Sequence, residues 1–227
     1  MTNQRARLLA AACGLALALA GGARAQETYI PLISKGFQHQ FWQAVKSGAE
    51  QAAKDYNVRV TFEGPETEAM VDKQIDMLSA ALAKHPSAIG FAALDSKAAI
   101  PLLKKAQAQK IPVIAFDSGV DSDIPVTTAT TDNKAAAALA ADKMAALIGD
   151  SGEVALVVHD QTSRTGIDRR DGFVDRMKAA HPNVKVVSVQ YGAGDHLKST
   201  EIAKSMLQAY PNLKLSLIHI SEPTRPY

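Results

Sequence analysis

Residues 29–62 read YIPLISKGFQHQFWQAVKSGAEQAAKDYNVRVTF. Tyr29–Ser34 is a short apolar run, the reading of a strand. Phe41–Tyr56 places Phe41, Val45, Ala49 and Ala52–Ala53 on one side at helical spacing, and Val58–Phe62 returns to the strand pattern. Strand, helix and strand in this order make a parallel crossover unit. The rhythm then continues outward. Glu68–Lys84 reads as a helix with the stripe Val71, Ile75, Leu78 and Leu82; Ala88–Ala93 is a strand, Lys97–Gln109 a helix and Ile111–Phe116 a strand. Beyond these, Asn133–Ile148, Ile167–Ala180 and Leu197–Ala209 read as helices, and Glu153–Val158 and Val184–Gln190 as strands. Such alternation predicts an α/β protein with parallel sheets and helices on both faces. The strands are apolar almost throughout, as strands covered on both faces must be.

Between the two series, Asp117–Asp132 is rich in Asp, Ser, Gly and Thr, with an extended stretch at Ile124–Thr131. This marks the end of a first lobe and a first crossing into a second. The lobes share a rhythm but no strong residue-level repeat.

The amino terminus sets the compartment. Arg5 and Arg7 precede an apolar run from Leu8 to Ala20, followed by Gly21-Gly22 and Ala23-Arg24-Ala25. A charged segment, an apolar core and a small-x-small site make a secretory signal over residues 1–25, cleaved after Ala25. The run is short for a permanent membrane span. The single cysteine, Cys13, lies inside that run with apolar sequence continuing past it, which favours soluble export to the periplasm over lipid anchoring. The mature chain then has no cysteine and no disulfide. The whole chain has 25 basic and 23 acidic residues, and removing Arg5, Arg7 and Arg24 leaves 22 against 23. A neutral chain carries no basic stripe for nucleic acid.

Ligands of open parallel sheets bind beyond the carboxyl ends of the strands, so the loops there hold the candidates. The loop 34–42 joins Lys35, His39, Phe41 and Trp42, the only tryptophan. Aromatic faces beside hydrogen-bonding groups suit a sugar, whose ring has apolar C–H faces and a rim of hydroxyls; equally, Phe41 and Trp42 suit the first core turn of a helix. Asp117 ends the strand Ile111–Phe116, where a carboxylate can accept two hydroxyls or serve a turn. Asp95 has the same placement before a helix, where capping competes with ligand binding. In the second lobe Arg169-Arg170 lies near a helix start, and a guanidinium there can fork onto ring and hydroxyl oxygens; one of the pair faces solvent.

Taken together, Lys35–Trp42 within Ile30–Ala53, the run Ile111–Asp117, Thr131-Asp132-Asn133, and Arg169 four residues before Phe173 resemble the ribose/galactose-type sugar-binding proteins of ABC importers. The resemblance runs from Tyr29 to about Lys214 and implies a two-lobe type I periplasmic binding protein fold. It implies a first lobe over 26–131, a partial second lobe over 132–214, and a hinge at Thr131-Asp132. Phe41 and Trp42 match the paired aromatics that sandwich the sugar, His39 stands at a ligand-binding Asn, Asp117 matches the acidic hydroxyl acceptor and Arg169 the second-lobe Arg. Lys35 and Asp95 complete the expected ligand-binding set. Three departures concern which sugar is bound: Ser118 replaces an Arg, the first loop is one residue longer, and Gly194 replaces an aromatic. The implied partners are a sugar and an ABC permease, with a chemoreceptor as a further one, for a protein that acts as a monomer.

From Leu215 the sequence LSLIHISEPTR resembles the translation of a transposon-end sequencing adapter. Residues 215–227 are therefore expected to be non-native, leaving the second lobe incomplete; the plainer reading is a strand, Leu215–Ile220, with a polar tail. A periplasmic enzyme, hydrolase-like on an α/β scaffold, is the competing function. The chain has no Gly-x-Ser-x-Gly, no His-Glu-x-x-His and no phosphate loop. His39, His85, His159, His181 and His196 lack metal-ligand spacing, so neither metal nor cofactor is expected. A sugar-responsive repressor would need a helix-turn-helix ahead of the first lobe, where this chain has the signal pattern.

Overall fold

The computed structural model describes residues 27–37 and 39–218. The signal pattern of residues 1–25 lies outside them. Among the described residues no helix is long and apolar enough to cross a membrane.

The first lobe is built from β1 (Tyr29–Ile33), α1 (Gln40–Asp55), β2 (Arg59–Glu63), α2 (Val71–Ala83), β3 (Ile89–Phe91), α3 (Ile100–Ala108), β4 (Val113–Phe116) and β5 (Thr127–Ala129). Its sheet has the order β2-β1-β3-β4-β5, every neighbour parallel. The second lobe follows with α4 (Asn133–Leu147), β6 (Gly152–Val158), α5 (Arg164–Ala180), β7 (Val184–Tyr191), α6 (His196–Ala209) and β8 (Leu213–Ile218), and its sheet has the parallel order β7-β6-β8.

Packing follows the period of the strands. In β6, Val154, Leu156 and Val158 meet Ala141, Met144, Phe173 and Met177 of α4 and α5, while the intervening Ala155 and Val157 meet Met206 of α6. One strand thus buries both faces, which its unbroken apolar sequence requires. In the first lobe Ile33, Ile89, Phe91 and Val113 pack on Leu78 and Leu82 of α2 and Leu103 of α3.

Buried Gln74 of α2 ties the strand ends together. Its Nε2 donates to the carbonyls of Ser34 and Ala92, both at 2.8 Å, and its Oε1 accepts from the Leu94 amide at 3.0 Å. Helix boundaries moved from the sequence expectation for local reasons. Helix α2 begins at Val71 rather than Glu68, leaving Glu68 in the loop. Ahead of α3, Asp95 accepts from the amides of Lys97 and Ala98 and holds a separate turn. Helix α5 begins earlier than Ile167, since Ser163 caps it by accepting from the Gly166 amide. At the far end, the strand falls at Leu213–Ile218. Its backbone pairs in parallel with β6; residues 219–227 lie outside the described part.

Candidate functional site: a cleft between the lobes

The carboxyl ends of both sheets face one another across a cleft of about 470 Å³, within the size range of small-molecule sites. From the first lobe come Lys35, His39, Phe41, Trp42, Glu68 and Asp117; from the second come His159, Thr165 and Arg169. Of the ligand-binding residues expected from sequence, six line this space. Asp95 does not: its carboxylate is taken up by the two amides of the following turn, the capping role that competed with ligand binding.

Trp42 is fully buried, and its ring meets Phe41 edge-on at 4.8 Å and Phe116 edge-on at 6.3 Å. The two expected aromatics thus form one steep corner, their planes 72° apart, instead of two parallel plates, and Phe116, which sequence reading did not single out, backs it. Trp42 serves core and cleft together.

Asp117 sits in the left-handed backbone region at φ 56°, held by the Ala129 carbonyl, which accepts from its amide at 2.9 Å, and by Thr130 Oγ1, which donates to its carbonyl. Its carboxylate accepts no side-chain hydrogen bond from the described residues and faces the cleft. Burial pushes its pKa up, while the charges of Lys35 and Arg169 pull it back and Glu68 adds to the rise. Across the cleft, Arg169 Nε donates to Asn133 Oδ1 at 2.6 Å, and Asn133 Nδ2 donates to the Thr131 carbonyl at 2.9 Å. Gly172 permits this geometry, because a Cβ there would lie 2.5 Å from the Lys134 carbonyl oxygen. Arg170 turns outward to Asp171 and Tyr191. Asp132 caps α4, accepting from the Ala135 amide at 3.0 Å, so Thr131-Asp132 is the joint between β5 and α4.

Glu68 and His159 were missed. Glu68 is a buried carboxylate that accepts from Trp42 Nε1 at 2.7 Å and from His159 Nε2 at 2.9 Å and pairs with Lys35 Nζ at 3.2 Å. Burial alone would raise its pKa, but the His159 hydrogen bond, the charges of Lys35 and His159, and the Trp42 bond hold it well below the usual carboxylate range. His39 Nε2 lies 3.8 Å from the same carboxylate, and burial keeps its pKa below the ordinary value despite that neighbour. The signal was available: Glu68 follows β2 and His159 follows β6, so both lie in loops where such sheets bind ligands. Reading Glu68 as the first residue of a helix and His159 as one of several scattered histidines hid it.

Gly194, which stands where the resemblance expects an aromatic, has φ 71°, and a Cβ there would lie 2.8 Å from His159 Cε1 and 2.9 Å from His39 Nε2. The histidines occupy the room a side chain would need.

This architecture is shared widely. A carbohydrate transporter solute-binding protein from Agrobacterium radiobacter, solved with D-arabinose, superposes with TM-score 0.80 at 32% identity over 86% of this chain and 67% of that one. A solute-binding protein from Agrobacterium vitis with bound D-fucose gives 0.79 at 31% over 83% and 66%. The D-ribose/D-allose-binding protein of Pseudomonas aeruginosa is 29% identical over 83% of this chain, and the D-allose-binding periplasmic protein of Escherichia coli 27% over 81%. The chain spans about 61% of the length of these two curated relatives. The model of the periplasmic binding protein domain matches residues 30–223. The chain therefore belongs to the periplasmic binding protein domain family, a class of solute-binding proteins rather than enzymes.

Proposed function

We propose that this protein is the periplasmic solute-binding component of an ABC importer and binds a neutral monosaccharide or similar polyol between its lobes. The observation that carries this reading is the pairing across the cleft of an open carboxylate, Asp117, with the Asn133-anchored guanidinium of Arg169, beside the Phe41–Trp42 corner. Vicinal hydroxyls can donate to the first and accept from the second, while the ring's C–H face lies on the aromatics. The sugars named for the relatives, D-ribose, D-allose, D-arabinose and D-fucose, define the panel to try first. Thr131-Asp132 would be the hinge. Binding that touches both lobes favours their closed arrangement, because only that form makes both sets of contacts. The product of closure is a loaded monomer for a membrane permease, with a chemoreceptor as a second reader.

A melting screen separates this from a hydrolase reading. A ligand that binds only the folded state at 100 times its Kd stabilises by about 2.7 kcal/mol, so a matching sugar should raise Tm by several degrees without being consumed. Turnover of ester or glycoside substrates with no sugar-induced shift would overturn the proposal.

A further inference from the structure

Six ionisable side chains line the cleft: Lys35, His39, Glu68, Asp117, His159 and Arg169. Two are permanent cations and two are carboxylates. Lys35 and Glu68 are the buried two, their side chains 4% and 5% exposed and Nζ 3.2 Å from Oε2. An ammonium so placed needs an opposite charge beside it. Among the described residues, its other hydrogen-bonding side chain is the neutral hydroxyl of Thr165, at 3.5 Å. Although burial opposes it, Glu68 stays ionised: the His159 hydrogen bond, the charges of Lys35 and His159, and the Trp42 bond hold its pKa well below the carboxylate range. Asp117 has the charge of Arg169 to answer it, as well as that of Lys35. Burial keeps the pKa of His39 below its ordinary value. Beside His159 Nε2 stands a further carboxylate, Asp160 Oδ2 at 3.5 Å, so a charge on that ring is met outside the cleft.

We propose that Glu68 is a specificity-determining residue: by cancelling the buried charge of Lys35 from within the protein, it makes the cleft select neutral sugars over sugar acids. This rests on the sugar-binding reading and names the charge class that site accepts. A ligand carboxylate entering the cleft gives up its water and finds Lys35 already matched, with Glu68 and Asp117 as like charges nearby. At the low effective dielectric of such a site, that repulsion is strong, whereas a hydroxyl meets none of it. Rejecting the wrong ligand in this way discriminates without any added contact to the right one. Removing the charge of Glu68 leaves Lys35 short of an anion, which a sugar acid can supply. Removing the charge of Lys35 leaves Glu68 short of a cation, which an amino sugar can supply. Glu68→Gln isolates the charge, because the amide oxygen can still accept from Trp42 Nε1, the bond that Glu68 now accepts at 2.7 Å.

Titration calorimetry at pH 8, on the protein expressed from its source locus, compares each neutral sugar that binds with its charged relatives. The acids are D-ribonate for D-ribose, D-arabinonate for D-arabinose and D-galacturonate for D-fucose; the cation in each series is the 2-amino-2-deoxy sugar. The quantity read is the ratio of neutral to charged affinity, which a merely loosened site leaves unchanged. Wild type should bind the acid about a hundredfold or more weaker than the neutral sugar. Glu68→Gln should narrow that ratio about tenfold or more. Lys35→Met should narrow the ratio for the amino sugar instead, and it carries the test if the first variant fails to fold. The double variant, Lys35→Met with Glu68→Gln, should return the discrimination against acids towards that of wild type. Neutral sugars that bind with the same two ratios in wild type and both single variants would overturn the role of Glu68 and leave the sugar reading standing. Failure of wild type to bind any neutral sugar would overturn both.

Discussion

Asp117 concentrates the chemistry in one residue. Its left-handed backbone suits Asp or Asn better than alanine, for which that conformation costs about 1–2 kcal/mol; Asn is the cleaner test of the carboxylate. A charge-assisted hydrogen bond contributes roughly 1.5–3 kcal/mol, so Asp117→Asn should weaken sugar binding about tenfold or more, as read by titration calorimetry. The pH dependence has a definite sign. Burial raises the Asp117 pKa above its ordinary 3.8, and the protonated acid is the poorer acceptor. Affinity should therefore fall as pH drops through that raised value, earlier than for an exposed aspartate, and Asp117→Asn should flatten the profile. The contacts of Lys35, His39, Phe41, Trp42 and Asp117 with the cleft were legible because these residues follow strand ends, and that of Arg169 because it lies near a helix start. Glu68 was not: a glutamate near a helix start looks ordinary until the helix is seen to begin three residues later.

Elements were legible in kind and order, because apolar runs alternate with helical stripes along the chain even where a strand, such as β3, has only three residues. Their ends were less so, since caps such as Ser163 and turns such as the one Asp95 holds are decided by side-chain bonds that periodicity does not record. Gln74 shows how much such a bond carries: replacing it by Leu strands three backbone groups at the ends of β1 and β3. With about 1–3 kcal/mol per unmet buried group, Gln74→Leu should cost about 3 kcal/mol or more, measured by denaturant unfolding. At the other end of the molecule, His181 closes α5. Its Nε2 and Nδ1 face Asp142 and Asp150 at 2.9 and 2.6 Å, a geometry that both nitrogens satisfy only as donors. The Asp142 and then the Asp150 hydrogen bonds raise its pKa above 6.5. Its stabilisation is thus complete below that value and lost as pH rises through the raised one. The Tm difference between wild type and His181→Ala should shrink on going from mildly acidic to alkaline buffer; a difference that grows with pH would contradict the pairing.

At the scale of the molecule, two parallel sheets meet at their carboxyl ends, and their joint at Thr131-Asp132 lies beside the residues that would grip a ligand. The two-lobe plan was readable from the break in rhythm at Asp117–Asp132. The contact between lobes was not, because it joins residues as far apart as Glu68 and His159 that share no local pattern. Export belongs to the same account: the mature protein isolated from periplasm should begin at Gln26, and a cytoplasmic product retaining Met1 would contradict it. Calorimetry of the protein expressed from its source locus, titrated with neutral monosaccharides, decides whether the cleft takes a sugar. Saturable binding of at least one sugar is expected, weakened about tenfold or more by Asp117→Asn and by Arg169→Gln. Absence of heat from every sugar, or binding indifferent to both substitutions, would contradict it.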